Sequence, residues 1–333
     1  MDVNIISHQT VKASIATAKA AGNFENDEYN TYAHPYESIQ SVIPRTPDSV
    51  LVHRIPDMTV EHLSNWVDLI MATRCENPAN VHVFHLPPVL VAEILAAANV
   101  WVFRKREPPE MDELVSLFPR LTKAGIPASS VFAGKDYFLR LDFCSAKDSE
   151  AANSSVDDVA EIIEMLYKSR RACRALADEL ERRKGRPGRP VNLFLLPFNH
   201  DINPAREYRV FVPPSESVLS VSAISQYRWH KPFYEADRSA AMCRAKEVHE
   251  GAIRILELIL EHAESLPQQV RDTMQREGLV FDVFQTSGGE VQLVEINPFG
   301  AMSGCGTSLF HWVRDAKLLY GECSKVEVRL SME

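Results

Sequence analysis

Residues 281–297, with the sequence FDVFQTSGGEVQLVEIN, constrain the fold of this chain more than any other segment. Two runs rich in apolar and aromatic residues flank Gly288 and Gly289, and adjacent glycines supply the positive φ angles of a tight hairpin turn. If these glycines form a two-residue turn, Asp282 lies directly opposite Glu295. The segment therefore predicts an antiparallel hairpin that carries two facing carboxylates.

Facing carboxylates repel each other, so their pairing requires an explanation. Opposed side chains in an antiparallel pair lie about 5 Å apart, and burying like charges among apolar groups is costly unless something compensates. Asn297 lies two residues beyond Glu295, on the same face of the strand. Two carboxylates and an amide oxygen are hard ligands suited to Mg²⁺. The hairpin therefore predicts that Asp282, Glu295 and Asn297 bind a magnesium ion.

A solvent-facing sheet with ordinary surface carboxylates is the alternative interpretation of the hairpin. A register slip of one residue would also remove the opposition of the two charges. Glu295 stands between Val294 and Ile296, a pattern typical of a strand covered on both faces, and this favours the metal interpretation. Without metal, Asp282→Asn or Glu295→Gln is expected to relieve repulsion.

Four regions are predicted along the chain. Residues 1–47 are polar and proline-marked, which predicts an arm that begins with a helix. Residues 48–132 alternate strand-like and helical patterns, which predicts an α/β region with a mostly parallel sheet. Residues 133–198 and residues 199–333 combine strands with long helices and predict two α+β lobes.

Periodicity and boundary residues predict the individual elements. The predicted strands are Ser49–His53, Val81–Leu86, Val100–Phe103, Tyr137–Phe143, Val191–Phe198, Arg206–Val212, Val218–Gln226, Leu279–Thr286, Glu290–Ile296 and Val326–Leu330. The predicted helices are Met1–Gly22, Val60–Ala72, Pro88–Ala98, Met111–Ala124, Val156–Lys184, Ser239–Ser265 and Thr307–Tyr320.

Composition narrows the class of protein. Hydrophobic residues make up 45% of the chain and charged residues 24%, as in ordinary globular proteins. The formal net charge of −9 argues against general nucleic-acid binding. The six cysteines form no CxxC pair, which favours a reducing compartment over a disulfide scaffold or a zinc site. No apolar run reaches the ~18 residues of a membrane span, so a cytoplasmic protein is expected.

The hairpin and four other segments resemble a known family. LVEINPFG (Leu293–Gly300) after FDVF is similar to the ATP-grasp superfamily and, in particular, to the cell division cycle protein 123 family. EYRVFV (Glu207–Val212) with AISQY resembles that family's paired strands, LRLDFCSAKD (Leu139–Asp148) its nucleotide-contacting strand, and SLFHW (Ser308–Trp312) its closing helix. The resemblance covers roughly residues 130–320. It implies an α/β, ATP-grasp-like fold whose nucleotide is held between two lobes.

The same resemblance implies ATP and Mg²⁺ as cofactors and a role for each matched residue. The three hairpin ligands would hold Mg²⁺ between the β- and γ-phosphates. Arg140 and Lys147 would contact the phosphates, and Arg209 would reach the phosphates or an acyl phosphate. Leu196 and Phe198, in the hinge strand, would lie beside the adenine.

Each of the three cations also has a structural interpretation. Arg140 stands where the family resemblance leads us to expect a lysine, and it is also compatible with the surface of a strand edge. Lys147 lies in a turn-like KDS sequence, and Arg209 alternates with Glu207 and could pair with it.

A glycine-rich segment, GAMSGCGTS (Gly300–Ser308), follows the hairpin. Backbone N–H groups at the start of a helix can hold an anion, so this segment predicts either an anion cradle or a flexible connector. Cys305 lies within it, but no partner base is evident, and this argues against a nucleophilic cysteine.

Two functions from different classes follow from these observations. The first is an ATP-dependent carboxylate–amine ligase that acts on small-molecule carboxylate and amine substrates through an acyl phosphate, with Arg209, Arg140 and Lys147 as catalytic residues. The second is an ATP-binding assembly chaperone for a translation initiation factor complex, recognised by its binding to the factor's γ subunit. We favour the ligase slightly, because the first ~130 residues show no clear match to the chaperones. A degenerate fold that binds a partner without nucleotide is a weaker third option.

Overall fold

The computed structural model describes residues 1–22, 28–31, 34, 58–104, 106, 111–149, 155–182 and 191–333. By their internal contacts these residues form two compact units. The first unit combines Met1–Cys75 with Asp201–Glu333, and the second unit is Glu76–His200. The second unit is therefore inserted, in sequence, between the two parts of the first.

The elements are numbered along the chain. The strands of the described residues are β1 (Asp2–Ser7), β2 (His82–Leu86), β3 (Tyr137–Leu141), β4 (Val191–Pro197), β5 (Glu207–Val212), β6 (Ala223–Gln226), β7 (Leu279–Gln285), β8 (Val291–Pro298) and β9 (Glu327–Met332). The α-helices are α1 (His8–Ala20), α2 (Leu63–Thr73), α3 (Pro88–Arg104), α4 (Met111–Leu117), α5 (Ala128–Val131), α6 (Val159–Lys168), α7 (Arg170–Arg182), α8 (Arg238–Ala263), α9 (Gln268–Glu277) and α10 (Ala316–Leu319).

A six-stranded mixed sheet organises the first unit, with the strand order β1-β9-β6-β5-β7-β8. Strands β1 and β6 both pair with β9 in parallel. The pairs β5–β6, β5–β7 and β7–β8 are antiparallel. The hairpin β7–β8 thus lies at one end of the sheet, and β5 is the strand that flanks it on the inside.

Helix α8 begins at Asp237, whose carboxylate accepts a hydrogen bond from the Ala240 N–H at 2.9 Å and satisfies one of the free N–H groups of the first turn. Small residues such as Ala245 and Ala252 lie on its buried face. A Cβ at Gly251 would collide with Val291, so glycine at this position lets the helix approach β8 closely.

Strand β8 forms an edge of the sheet, and helix α2 lies against it. The backbone N–H of Leu293 donates to Oγ1 of Thr73 at 3.1 Å. Trp66 and Ile70 of the same helix are buried. Because an open edge would expose unpaired backbone groups, this helix protects the strand that carries Glu295.

The second unit contains a three-stranded antiparallel sheet in the order β2-β4-β3. Its strands and helices share one hydrophobic core that includes Phe84, Leu139, Leu193 and Ile162. The mostly parallel sheet predicted for residues 48–132 is wrong within the described part of that region. There, β2 is the strand present, and its partner is antiparallel β4. The predicted strand Ser49–His53 lies outside the described residues.

Several predicted elements have different bounds in the structure. The predicted strand Val100–Phe103 is the end of α3. The predicted helix Val156–Lys184 is two helices, separated at Ser169, whose hydroxyl accepts from the Ala172 N–H at 3.0 Å and caps α7. The predicted helix Met1–Gly22 begins with β1, because its first residues pair with β9. The prolines that mark the predicted arm lie outside the described residues.

Among the residues that the structure describes, no helix is long and apolar enough to cross a membrane.

Candidate functional site

The turn of the β7–β8 hairpin is one residue longer than predicted. The Thr286 N–H donates to the Glu290 carbonyl at 2.8 Å, and the Gly289 N–H donates to the Thr286 carbonyl at 3.0 Å. Three residues therefore separate the last paired positions. Gly289 has a φ of 89°, whereas Gly288 is not in the left-handed region. This is the pattern of a three-residue loop that ends in a left-handed glycine.

A β-bulge restores the predicted register beyond the turn. The pairing shifts between Asp282 and Val283, so that Val283 opposes Leu293 and Asp282 opposes Glu295. Val294 is the extra residue of the bulged strand. The longer turn shifts the pairing register by one residue, and the bulge shifts it back. Asp282 and Glu295 therefore lie opposite each other, as predicted.

Both carboxylates lie inside the first unit. The relative exposure of Asp282 is 0% and that of Glu295 is 6%. This contradicts the alternative in which they are ordinary surface carboxylates. Asn297 lies opposite Val280, two positions beyond Glu295, and among the described residues its buried Nδ2 has no hydrogen-bond partner.

Arg209 compensates the charge of Asp282. Its Nε donates to Asp282 Oδ1 at 2.8 Å and its Nη2 donates to Oδ2 at 2.7 Å, so the pair is bidentate. Arg209 lies directly opposite Asp282 on β5, with a relative exposure of 6%. Burial lowers the pKa of the guanidinium, but the adjacent Asp282 carboxylate reverses this and holds the pKa well above its ordinary value. The guanidinium therefore keeps its positive charge at neutral pH.

This pair corrects two interpretations made from the sequence. Arg209 pairs with Asp282 across the strands rather than with Glu207 along its own strand. The charge of Asp282 is balanced within the protein, so a cation is not needed to explain its burial. The row Arg209–Asp282–Glu295 crosses three strands and places one guanidinium beside two carboxyl groups.

The hairpin residues are compatible with a magnesium ion but do not form a dense metal cluster. Within the described ranges, no group of three or more His, Cys, Asp and Glu side chains could hold a metal. Each Asp282 oxygen accepts from Arg209 and keeps a second lone pair. Asn297 supplies an amide whose buried nitrogen has no acceptor, so a ligand that accepts from it would satisfy a buried group. The donor types therefore fit Mg²⁺ bound together with phosphate oxygens.

Three backbone N–H groups at the end of the loop Gly300–Ser308 already have acceptors within the protein. The Cys305 N–H donates to Ser303 Oγ at 3.0 Å, the Thr307 N–H to the Thr31 carbonyl at 3.2 Å, and the Ser308 N–H to Asn30 Oδ1 at 3.2 Å. These N–H groups are already occupied within the protein. These hydrogen bonds fix the end of the loop to residues 30 and 31.

The helix predicted after this loop is largely absent. Of the predicted helix Thr307–Tyr320, only α10 (Ala316–Leu319) is helical. Ser308 has a φ of 54°, which interrupts a right-handed helix at its second residue. The loop therefore has no helix start from which to bind a phosphate.

Cys305 is not a nucleophile. Its side chain is buried, and burial raises the pKa of the thiol to about 12, although the Arg209 charge opposes this. The thiolate, which is the reactive form, is therefore scarce at neutral pH. The Trp312 indole N–H donates to the Cys305 carbonyl at 2.9 Å, which gives this residue a structural role.

The remaining predicted site residues lie in the second unit. Arg140 is on β3, opposite Phe194 of β4, with a relative exposure of 6%. This contradicts its interpretation as an exposed residue of a strand edge. Lys147 is partly buried and lies in the turn that follows β3. Leu196 is buried on β4, and Phe198 follows the end of that strand.

A cavity of about 430 Å³ lies beside Phe198. It is lined by Asn80, Gly134, Lys135, Asp136, Tyr137, Pro197, Phe198 and His200. The Phe198 ring contacts the His200 ring with centroids 4.9 Å apart. Leu196 does not line the cavity, because its side chain belongs to the buried part of β4.

The structure thus brings together Arg209, Asp282, Glu295 and Asn297 in the first unit. Sequence reasoning missed the residues that surround Arg209. Its Nη1 donates to the Gly306 carbonyl at 2.6 Å, and its guanidinium lies 4.9 Å from the ring centroid of Tyr227. The match of AISQY to the family's paired strands was a signal for Tyr227, whereas no local pattern pointed to Gly306.

Comparison with known proteins identifies relatives of this chain. A protein-family model described as D123 matches residues 106–331, more than half of the chain. The chain is similar in structure to C-terminally truncated Cdc123 from Schizosaccharomyces pombe, with 17% identity and a TM-score of 0.55, over 83% of this chain and 97% of that one. A second structure of Cdc123 from the same organism gives 18% identity, a TM-score of 0.53 and the same coverage. The predicted α/β fold class and the predicted resemblance to the cell division cycle protein 123 family are both confirmed.

Other comparisons are weaker. D-Alanine-D-Alanine ligase from Helicobacter pylori matches with 15% identity and a TM-score of 0.27, over 57% of this chain and 46% of that one. The curated proteins contain no match to the chain.

These findings correct the first functional prediction. The interpretation as an ATP-dependent carboxylate–amine ligase is wrong, because the D123 family match favours the chaperone. Small-molecule carboxylate and amine substrates are likewise not supported. Arg209, Arg140 and Lys147 have no ligation step to catalyse, and only their nucleotide-contacting roles remain as proposals.

Proposed function

We propose, from the premise that the chain belongs to the D123 family, that it is an ATP-binding assembly chaperone for a translation initiation factor complex. The observation that carries this proposal is the family match over residues 106–331, which includes Arg209, the hairpin and the loop after it. The family resemblance implies the chaperone function, and the initiation factor's γ subunit is the partner that we propose. A cytoplasmic location, where translation starts, is part of the same proposal.

The hairpin is the proposed metal site. Asp282, Glu295 and Asn297 would hold Mg²⁺, and the ion would neutralise the β- and γ-phosphates of ATP. Two observations support this assignment. Glu295 is buried opposite a like charge, and the buried Asn297 Nδ2 lacks an acceptor. A bound cation would screen the two carboxylates from each other, and a phosphate oxygen would accept from the Asn297 amide.

Arg209 is proposed to shape this site rather than to stabilise a transition state. Its guanidinium donates two hydrogen bonds to Asp282 and one to the Gly306 carbonyl, out of five available N–H groups. A cation neutralised by a buried carboxylate has little charge left for a developing anion. The hydrogen bonds of Arg209 hold Asp282 in a fixed position, and this supports a hairpin shaped in advance for binding ATP.

For the second unit, we propose that Arg140 and Lys147 contact phosphate oxygens and that Leu196 and Phe198 lie beside the adenine. The match of LRLDFCSAKD to the family's nucleotide-contacting strand supports the two cations. The position of Phe198 beside a cavity at the end of β4 supports the adenine role. Arginine forks where a lysine is a point charge, so Arg140 is suited to bidentate phosphate contact.

We propose a functional division of the chain into four parts: an arm (1–47), an α/β region (48–132), a small lobe (133–198) and a larger lobe (199–333). The boundary after residue 198 is supported by the contact boundary between the two units, which falls after His200. Residues 76–132 share a unit with residues 133–198. The small lobe would therefore fold together with most of the α/β region.

The experiment that tests the function measures binding of the purified γ subunit by calorimetry, with and without Mg·ATP. We expect binding that is tighter with Mg·ATP, together with no release of ADP stimulated by small carboxylates or amines. Glu295→Gln is the matched variant, because it removes a proposed ligand while leaving the Arg209–Asp282 pair intact.

The outcomes separate clearly. Tighter binding with Mg·ATP in the parent, reduced in Glu295→Gln, would support an ATP-dependent chaperone. No binding of the γ subunit under either condition would overturn the proposal. Equal affinity for the γ subunit with and without Mg·ATP would overturn the proposed dependence on ATP.

A further inference from the structure

A short piece of the N-terminal arm contacts the loop Gly300–Ser308. The Asn30 N–H donates to the Ser308 carbonyl at 2.7 Å, and the Ser308 N–H donates back to Asn30 Oδ1 at 3.2 Å. The two residues thus bind each other reciprocally, through both the backbone and the Asn30 side chain. The sequence analysis assigned no role to Asn30.

Thr31 makes the second set of contacts. The Thr307 N–H donates to the Thr31 carbonyl at 3.2 Å, the two threonine hydroxyls lie 3.2 Å apart, and the Trp312 N–H donates to Thr31 Oγ1 at 3.0 Å. Thr31 and Thr307 are both buried. The contact of these two threonines is therefore buried and made through several specific hydrogen bonds.

The backbone of both partners is adapted to this contact. Asn30 and Ser308 have φ angles of 53° and 54°, in the left-handed region. Asparagine tolerates this conformation better than most residues with a side chain. A Cβ at Gly306 would collide with Asn30 Oδ1. Only glycine at this position allows the asparagine side chain to reach Ser308.

The contact leads directly to the candidate site. Gly306, adjacent to Thr307, accepts a hydrogen bond from Arg209 Nη1 at 2.6 Å, and Arg209 holds Asp282 through two further bonds. Asn30 and Thr31 fix the backbone at residues 307 and 308. They therefore limit where the carbonyl at residue 306 can lie, and with it the guanidinium.

We propose that Asn30 and Thr31 are positioning residues for the nucleotide site: they hold the glycine-rich loop so that the Gly306 carbonyl fixes Arg209 on Asp282. This inference rests on the proposed function, in which the hairpin binds Mg·ATP. It gives the N-terminal arm a part in a site whose proposed metal ligands all lie more than 250 residues further along the chain.

The test compares variants that remove single groups of this contact. Asn30→Gly keeps the positive φ and removes the acceptor, whereas Asn30→Asp keeps both. Thr31→Val removes the hydroxyl and preserves the shape. Thr17→Val is the matched control, because the Thr17 hydroxyl donates to the Ala13 carbonyl within α1, away from the loop.

Two measurements are made on each full-length variant. The first is the NMR signal of the Arg209 Nε–H, assigned with Arg209→Lys, whose protection from solvent exchange reports the pair with Asp282. The second is Mg·ATP affinity by calorimetry. We expect Asn30→Gly and Thr31→Val to lose protection of the signal and to weaken Mg·ATP binding about 10-fold, as partners of ligands do elsewhere. Asn30→Asp and Thr17→Val should match the parent.

The two measurements also distinguish a failure of the positioning role of Asn30 and Thr31 from a failure of the proposed Mg·ATP site. An unchanged signal and affinity in both Asn30→Gly and Thr31→Val would overturn the inference. Loss of the signal without loss of affinity would overturn the positioning role. If Glu295→Gln binds Mg·ATP like the parent, the proposed metal site fails, and the NMR signal still decides whether the arm holds Arg209.

Discussion

At the scale of single residues, Asp282 and Glu295 carry the same charge in unequal surroundings. Asp282 is fully buried with a bidentate arginine, whereas Glu295 faces it from the next strand. The sequence suggested that removing either charge would relieve repulsion. The structure reverses this expectation for Asp282, because removing its charge would leave the buried guanidinium of Arg209 without its carboxylate partner.

Asp282→Asn should therefore destabilise the protein by about 3–5 kcal/mol, the usual result of breaking a buried ion pair. Glu295→Gln should leave the free energy of unfolding unchanged or raise it, because it removes one member of a like-charged pair. Urea denaturation of the nucleotide-free protein measures both. Equal losses of stability in the two variants would contradict the assignment of Arg209 to Asp282.

Cys305 provides a second test at this scale. Since burial raises its thiol pKa to about 12, Cys305 should resist iodoacetamide at pH 8 in the native protein. The exposed cysteines Cys75, Cys243 and Cys323 should react first. Mass spectrometry of the labelled peptides, with a urea-unfolded sample as the control, measures this order. Labelling of native Cys305 as fast as Cys243 would show that the loop opens readily.

At the scale of elements, the sequence predicted the strands of the hairpin well because alternation and turn residues act locally. It could not predict the three-residue turn or the bulge at Val294, since each depends on how β8 meets its neighbours. The predicted helix after residue 307 failed for a similar reason. Contacts with Asn30 and Thr31, far away in sequence, set the backbone at Ser308.

The two glycines of the hairpin turn distinguish the observed turn from the predicted one. Gly289→Ala should cost about 1 kcal/mol or more, because Gly289 has a positive φ. Gly288→Ala should be neutral or slightly stabilising, since its φ is ordinary and a Cβ there meets only Thr286 Oγ1 at 3.7 Å. Urea denaturation compares the two. A two-residue turn with both glycines at positive φ would instead penalise both changes.

The helix that covers β8 can be tested separately. Thr73→Val should cost about 1–3 kcal/mol, because the Leu293 N–H would lose its acceptor in a covered position. Thr17→Val, which removes an exposed hydroxyl from α1, is the control. If the two variants unfold at the same urea concentration, the hydroxyl of Thr73 does not protect the edge.

At the scale of the whole molecule, the candidate site draws on distant parts of the sequence. The hairpin pattern and the family resemblance both predicted Asp282, Glu295 and Asn297 as ligands, because these residues share one short segment. Asn30 and Thr31 were not predictable, because the arm matches no motif and only the folded chain shows what it touches. The assignment of the 333 residues to two units, one inserted in the other, also depends on long-range contacts.

Mg·ATP should stabilise the folded chain by mass action. At a free concentration 100 times its Kd, a ligand that binds only the native state adds about 2.7 kcal/mol. We expect a clear rise in Tm with Mg·ATP, a smaller rise with ATP and EDTA, and a much reduced rise in Glu295→Gln. Differential scanning fluorimetry measures these shifts. Identical shifts with and without Mg²⁺ would contradict the proposed metal site.

The pairing of β1 with β9 has a consequence for biosynthesis. Asp2 and Glu327 are neighbours in the sheet, although almost the whole chain separates them. A ribosome adds about 5–20 residues per second, so β1 waits on the order of tens of seconds for its partner. The second unit, Glu76–His200, emerges complete within that interval. A nascent chain can thus fold its inserted unit while β1 still offers unpaired backbone groups to any passing strand.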